Sequence, residues 1–294
     1  MKVLLTGAGG FLGRYVQANL TERGIETVAI GRSTPDPAQA VDLLNPADIE
    51  RGVARAGATH LLHLAWDVSP GEYWHSTVNL RWVESTLRLV EAFCKHGGRK
   101  VVIAGSCAEY AGTDSLSQED ATPLVPATLY GVAKDATRRL VAATCLHYGA
   151  AWAWGRIYLP YGAGEHPQRL IPSLIGALTG ARPPFGVNGN ACRDFIHAAD
   201  VASALVTLTQ DQAQGAYNIC SGEAVQIAAV VRQLAGLLGA DPAAILDRAT
   251  ARPGEPAVVA GEDRKLRDLG WAPAFSLVAG LQKTLGDTGI KVST

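Results

Sequence analysis

Residues Met1 to Tyr15 read MKVLLTGAGGFLGRY, and the order of residues inside that stretch sets the architecture expected of the rest of the chain. Val3, Leu4 and Leu5 form the apolar run of a buried parallel strand. Thr6 to Gly13 then places glycines at Gly7, Gly10 and Gly13 before a helical pattern over Tyr15 to Leu20. Side chains are missing where a diphosphate has to come close. The first backbone N–H groups of the helix face that space, with the positive end of the helix dipole behind them. Gly7, Gly10, Phe11, Leu12, Gly13 and Arg14 are therefore the expected diphosphate cradle. A tight turn of no function also collects glycine, so later residues must decide.

Outward from that stretch, apolar strands alternate with helical patterns. Further strands are expected near Glu26 to Ile30, Ala40 to Leu43, His60 to Ala65, Lys100 to Gly105 and Trp152 to Tyr158. The pattern predicts an α/β fold of Rossmann type, a doubly wound parallel sheet with a smaller substrate lobe, whose ligands bind at the carboxyl ends of the strands. A long helix is expected from about Glu72 to His96, carrying Trp74, Trp82, Leu87, Leu89, Val90 and Phe93 as packing or interface residues. A shorter one is expected over Gln168 to Leu178.

The second expected strand ends in Ile30-Gly31-Arg32-Ser33, where an NAD-binding protein usually places an acid for the ribose 2′-hydroxyl. Arg32 and Ser33 instead offer a cation and a donor to a 2′-phosphate, which favours NADP(H) over NAD(H). Asp42 and Leu43 follow the third expected strand as an adenine cap. His60 to Trp66 (HLLHLAW) reads as the strand beneath the nicotinamide end of the cofactor, with Leu64 and Ala65 beside it. His60 and His63 lack partners at metal-ligand spacing and read as core residues, so no metal site is expected.

Composition excludes several classes. The chain has 294 residues, 48% of them apolar and 18% charged, with a formal net charge of -1. That is enough to bury one large domain or two unequal ones, and no run of Lys or Arg exceeds two, so neither nucleic acid nor an anionic membrane is the expected partner. No apolar stretch has the length of a membrane helix, and the glycine-broken N-terminus does not read as a signal peptide, which makes the cytoplasm the expected address. Five cysteines (Cys94, Cys107, Cys145, Cys192, Cys220) without CxxC spacing argue against a disulfide framework and a structural zinc.

The chemistry is concentrated after the strand Lys100 to Gly105. Ser106-Cys107-Ala108-Glu109-Tyr110 follows it, and 24 residues beyond Ser106 stands Tyr130-Gly-Val-Ala-Lys134 inside a helical pattern that runs to about Tyr148. Tyr130 and Lys134 are one helical turn apart and share a face. The ammonium is expected to favour the ionised phenol and lower its pKa. Such a phenol can exchange a proton with a carbonyl or carbinol oxygen that the Ser106 hydroxyl holds.

With these motifs the chain resembles an extended short-chain dehydrogenase/reductase of the NAD-dependent epimerase/dehydratase family, which modifies nucleotide sugars. Gly7, Gly10 and Gly13 fit its TGxxGxxG. Ser106, Tyr130 and Lys134 fit its Ser and YxxxK set. RDFIHAAD (193–200) resembles its RDFIHVxD, and RPGE (252–255) its RPGD; the resemblance implies that Arg193 and Arg252 hold a substrate diphosphate. YNICSG (217–222) and LGWAP (269–273) match two further segments. The resemblance also implies a homodimer, through a four-helix bundle of the helices around Trp74 to His96 and Thr128 to Tyr148.

Departures from the family pattern narrow the reaction. Dehydratases carry Asp-Glu directly after the catalytic Ser or Thr, where this chain has Cys107 and Ala108. Glu109 comes one place late and is expected to be turned away by strand alternation. The GDP-fucose synthase branch uses a Cys and a His; here Cys107 sits one place early and Arg169 stands where the His is expected. RxxNxYGP appears as Arg156-Ile-Tyr-Leu159-Pro160-Tyr161-Gly162-Ala163, and the helix Asn of the pattern is replaced by Trp82, with Asn79 a turn earlier. Cys107, Tyr161, Arg169, Arg193 and Arg252 are the expected substrate contacts.

The expected organisation is a Rossmann domain of residues 1–158 plus about 193–222, with a substrate lobe of 159–192 plus 223–294. The expected activity is NADPH-dependent reduction of a nucleotide 4-keto-6-deoxy sugar. The alternatives are a nucleotide-sugar 4-epimerase and a non-catalytic NADP-sensing protein of the same fold.

Overall fold

The computed structural model describes residues 1–32, 40–248, 250 and 254–292. The opening stretch forms β1 (Lys2–Thr6) and α1 (Phe11–Glu22), followed by β2 (Glu26–Ile30), α2 (Pro46–Ala56), β3 (His60–His63), α3 (Val78–Lys95), β4 (Lys100–Ser106), α4 (Leu129–Tyr148) and β5 (Ala151–Ile157). Together with β9 (Gly215–Ile219) these strands make one parallel sheet in the order β2-β1-β3-β4-β5-β9. Its strands carry near-continuous apolar runs because helices cover both faces. Val3, Leu5, Leu62 and Val102 face α1 and α6 (Ala198–Thr207), whereas Leu4, Leu61, Val101 and Ile103 face α2, α3 and α4.

The smaller part is built from β6 (Leu159–Tyr161), α5 (Leu170–Leu178), β7 (Cys192–Arg193), β8 (Phe195–His197), β10 (Val225–Gln226), α7 (Ile227–Leu238), α8 (Ala243–Leu246), β11 (Val258–Val259) and α10 (Leu277–Asp287). It has two small sheets, β10-β7-β11 and β6-β8, over a core of Leu174, Val231, Leu234, Leu281 and Leu285. The boundaries differ locally from the sequence reading. Residues 192–197 pair within the small sheets, while Leu266, which belongs to α9 (Arg264–Arg267), and Trp271 pack into the core beside α6.

Two expected elements are corrected. Ala40 to Leu43 is not a strand, because the place beside β1 is taken by β3. Val41 donates to the Gly31 carbonyl, and buried Val41 and Leu43 plug the core under α2 and α3. The helix expected from Glu72 begins only at Val78. The Asn79 amide takes the carbonyls of Tyr73 and Ser76, and the Trp74 carbonyl accepts the Tyr130 N–H, so the Tyr73 and Trp74 oxygens are diverted from helical pairing. Among the described residues no helix is long and apolar enough to cross a membrane, and no cluster of three or more His, Cys, Asp or Glu could hold a metal.

Candidate active site

The glycine turn shows why two of its glycines are obligatory. Gly7 has φ +76°, and a Cβ there would stand 2.8 Å from the Ala65 nitrogen at the end of β3. A Cβ at Gly13 would stand 2.0 Å from the Gly7 carbonyl oxygen, which accepts the Gly10 N–H at 3.0 Å. The turn is thereby pressed onto β3, where Leu64 and Ala65 donate to the Thr6 carbonyl and hydroxyl. Gly10 is exposed, caps α1 with no side chain, and is followed by a first turn without an acid. The open helix end suits a diphosphate, and half-buried Phe11 and Leu12 open the first turn. Arg14 is exposed on that turn, against Gly164 of the smaller part.

At the other end of the cradle, Arg32 is exposed just beyond β2, and Ser33 lies outside the described residues. Asp42 is exposed and acts as a turn residue: one of its carboxylate oxygens accepts the Leu44 N–H, and its own N–H donates to Asp48. His63 is a core residue, as expected. Burial pushes its imidazole down to about 3, and it is hydrogen-bonded between the hydroxyls of Thr6 (2.6 Å) and Thr86 (3.0 Å).

Ser106 ends β4 and caps a 3-10 turn formed by Cys107–Glu109, with its hydroxyl accepting the Ala108 N–H at 3.2 Å. On α4, capped by the Thr128 hydroxyl, Gly131 lies so close to this turn that a Cβ would be 2.3 Å from the Ala108 carbonyl oxygen. That approach sets Tyr130 beside Ser106. Burial raises the Tyr130 phenol well above its ordinary value, and the hydrogen bond to the Ser106 side chain draws it back only in part. Lys134 is not what governs the phenol. Its ammonium donates to the Ala104 carbonyl at 2.9 Å and lies 3.8 Å from the centre of the Trp66 ring, and burial pushes it down to about 7 against the pull of Glu109. The expected depression of the phenol is thus corrected: burial outweighs the lysine.

Glu109 leaves the site, though not by strand alternation. The 3-10 turn folds its carboxylate back into the core, where one oxygen accepts the N–H groups of Ser106 and Trp154 (each 2.8 Å) and the other accepts Arg156 Nε–H (2.8 Å). Arg156 also donates to the Tyr110 hydroxyl, which donates to Asn218. Cys107 begins the same turn, and its thiol is pushed up to about 12, first by burial and then by the carboxylates of Glu109 and Asp194. It therefore stays protonated.

Other expected contacts separate. Arg169 reaches the site: it donates to the Tyr73 hydroxyl (3.3 Å) and the Val68 carbonyl (3.0 Å), and the Tyr73 ring meets the Tyr130 ring edge-on at 4.8 Å. Tyr161 does not. It is 1% exposed, packs on Phe195 and His197, and donates to the Leu277 carbonyl, so it is a core residue of the smaller part. Arg193 is buried and paired with Glu255 at 2.7 Å, with further bonds to the carbonyls of Cys192 and Pro256. Arg252 lies outside the described residues.

Sequence reasoning missed the aromatic wall of Trp66, Tyr73 and Trp74 around Tyr130, and also Glu165, whose Oε2 is buried without a partner and whose carboxyl burial pushes up to about 8. Arg156 was the available signal for the Glu109 network, because an arginine closing an apolar strand needs a buried anion.

A sheet with this strand order, a glycine cradle after β1 and a Tyr/Lys helix facing Ser106 define a nicotinamide dinucleotide-binding α/β enzyme. The sequence model of the NAD dependent epimerase/dehydratase family matches residues 3–220, and the chain belongs to that family. It is 28% identical over 326 residues to a UDP-glucose 4-epimerase of Azospirillum brasilense, covering 96% of this chain and 90% of that one. It is 29% identical over 330 residues to a dTDP-glucose 4,6-dehydratase of Neisseria meningitidis serogroup B, with 97% and 92% covered. The solved structure of MoeE5 with UDP-glucuronic acid and NAD superposes with a TM-score of 0.84 at 30% identity, over 98% of this chain and 99% of that one. The chain is accordingly an enzyme of the nucleotide-sugar epimerase, dehydratase and reductase group that uses a nicotinamide dinucleotide.

Proposed function

We propose that this enzyme reduces a nucleoside-diphosphate 4-keto-6-deoxy sugar, with NADPH as the preferred donor. One observation carries the reading: the site holds a protonated phenol beside Ser106, while the two places after Ser106 are Cys107 and Ala108 and Glu109 is committed to Arg156. Such a set can move one proton to one oxygen and lacks the acid and base pair that dehydration requires. The dinucleotide, when bound along Gly7 to Arg14, supplies the hydride.

Tyr130 gives its proton to the sugar carbonyl oxygen as that oxygen gains charge, and Ser106 donates a hydrogen bond to the same atom. A phenol held protonated by burial is suited to the reductive direction. Lys134 stabilises the phenolate left behind, and Arg169 lies where it can meet the anionic substrate. Arg32, standing after β2 where an NAD-binding protein usually places an acid, supports the preference for NADP(H). We further infer a homodimer through α3 and α4, which carry the exposed Leu80, Val132, Leu140 and Leu146.

A second reading, 4-epimerisation, is favoured by the relatives: the A. brasilense protein is a UDP-glucose 4-epimerase, and MoeE5 was solved with a UDP-sugar and NAD. Incubation with a panel of nucleotide sugars, with and without NADPH, separates the two. Stoichiometric NADPH oxidation supports reduction, and isomer formation without it supports epimerisation. Turnover unchanged in Tyr130→Phe would refute both.

A further inference from the structure

Trp66 stands three residues beyond β3, and its indole is held from several sides. Its ring N–H donates to Asn79 Oδ1 at 2.8 Å, Trp82 stacks on it at 6.3 Å with 26° between the planes, and Tyr130 meets it edge-on at 6.4 Å. Asn79 is fully buried, and its amide N–H groups donate to the carbonyls of Tyr73 and Ser76, so every polar atom of that side chain has a partner. The Lys134 ammonium lies over the same indole, 3.8 Å from the ring centre. Residue 82, where the family pattern places an asparagine, thus holds the tryptophan that backs Trp66, and the asparagine one turn earlier anchors it.

We propose that Trp66 is a positioning residue for Lys134: its indole face, fixed by Asn79 and Trp82, holds the ammonium in place and in its charged form next to Tyr130. The inference rests on the reading of Tyr130 and Lys134 as the reacting pair. A cation over an aromatic face is stabilised by the ring quadrupole, most strongly where water is excluded. The titratable groups facing Lys134 are His63 from β3, Glu109 from the turn after β4 and Tyr130 from its own helix. His63 is neutral, and Glu109 shares its charge with Arg156. Burial, which pushes Lys134 down to about 7, is therefore opposed by a compensated carboxylate and by the Trp66 ring. Removing the ring should lower the Lys134 midpoint by about one pH unit.

The test is an NMR titration of ligand-free protein with lysine labelled at Cε, comparing wild type, Trp66→Phe and Trp66→Leu, with Lys134→Met to assign the resonance. Trp66→Leu should lower the midpoint by about one unit and Trp66→Phe by less than half of that, because the Phe ring keeps a face over the ammonium. The alkaline fall of kcat should move to lower pH by the same amount in each variant, with KM for the nucleotide sugar little changed. A Trp66→Leu midpoint equal to that of wild type, or equal shifts in the Phe and Leu variants, would overturn the proposal. Full turnover by Lys134→Met would instead refute the reading of the reacting pair, and the titration would still decide whether Trp66 holds Lys134.

Discussion

Replacing Glu109 with Ala removes the acceptor at the centre of a buried network. Glu109 is 0% exposed and Arg156 1% exposed, and their 2.8 Å contact lies beside the Ser106 end of β4. The variant would leave the Arg156 charge with the Tyr110 hydroxyl as its nearest polar partner, and the N–H groups of Ser106 and Trp154 without an acceptor. Breaking one side of a buried pair costs about 3–5 kcal/mol, and each orphaned donor about 1–3 kcal/mol. These costs overlap, so the expected loss is about 5 kcal/mol, a large part of the roughly 5–15 kcal/mol that stabilises a typical native protein. In Tm this is a fall of roughly 10–20 °C. Urea unfolding followed by tryptophan fluorescence measures it. Glu109→Gln with Arg156→Met, which removes both charges and keeps an acceptor for Ser106, should recover more than half of the loss. A Glu109→Ala variant destabilised by less than about 1 kcal/mol would refute the reasoning.

Glu165 offers a pH test with a defined sign. Its carboxyl titrates near 4.5 when unfolded and near 8 in the fold, so the neutral form is favoured by folding. Its contribution is complete below about 4.5 and is lost as pH rises through about 8. The Tm of Glu165→Gln relative to wild type should therefore climb across that window and level off above it. Arg32→Ala should weaken NADP binding about tenfold or more and leave NAD binding nearly unchanged, as fluorescence titration would read. Gly131→Ala should push Tyr130 from Ser106, because its Cβ would meet the Ala108 carbonyl at 2.3 Å; kcat should drop with a stability loss of about 1–3 kcal/mol.

What the sequence revealed follows the range of each interaction. The β1 turn and the Tyr130/Lys134 helix were legible because their signals are local: an apolar run, glycines where a Cβ collides, and residues four apart on one helix face. The Ala40 to Leu43 segment misled because its alternation of buried Val41 and Leu43 is what a half-buried strand also shows, and pairing depends on a neighbour already supplied by β3. The role of Glu109 was hidden because Trp154 and Arg156 lie on another strand, 45 and 47 residues away. Tyr161 looked like a substrate contact from its motif. Its burial against Phe195 and Leu277 depends on how the smaller part packs, which no local pattern encodes.

The central claim is that hydride passes to a sugar carbonyl carbon while Tyr130 supplies the proton. NADPH deuterated at the transferable position, given with a nucleoside-diphosphate 4-keto-6-deoxy sugar, tests it most directly. The expected product carries one deuterium at C4, formed with one equivalent of NADPH oxidised and lost in Tyr130→Phe. A product without deuterium at C4 would contradict the account.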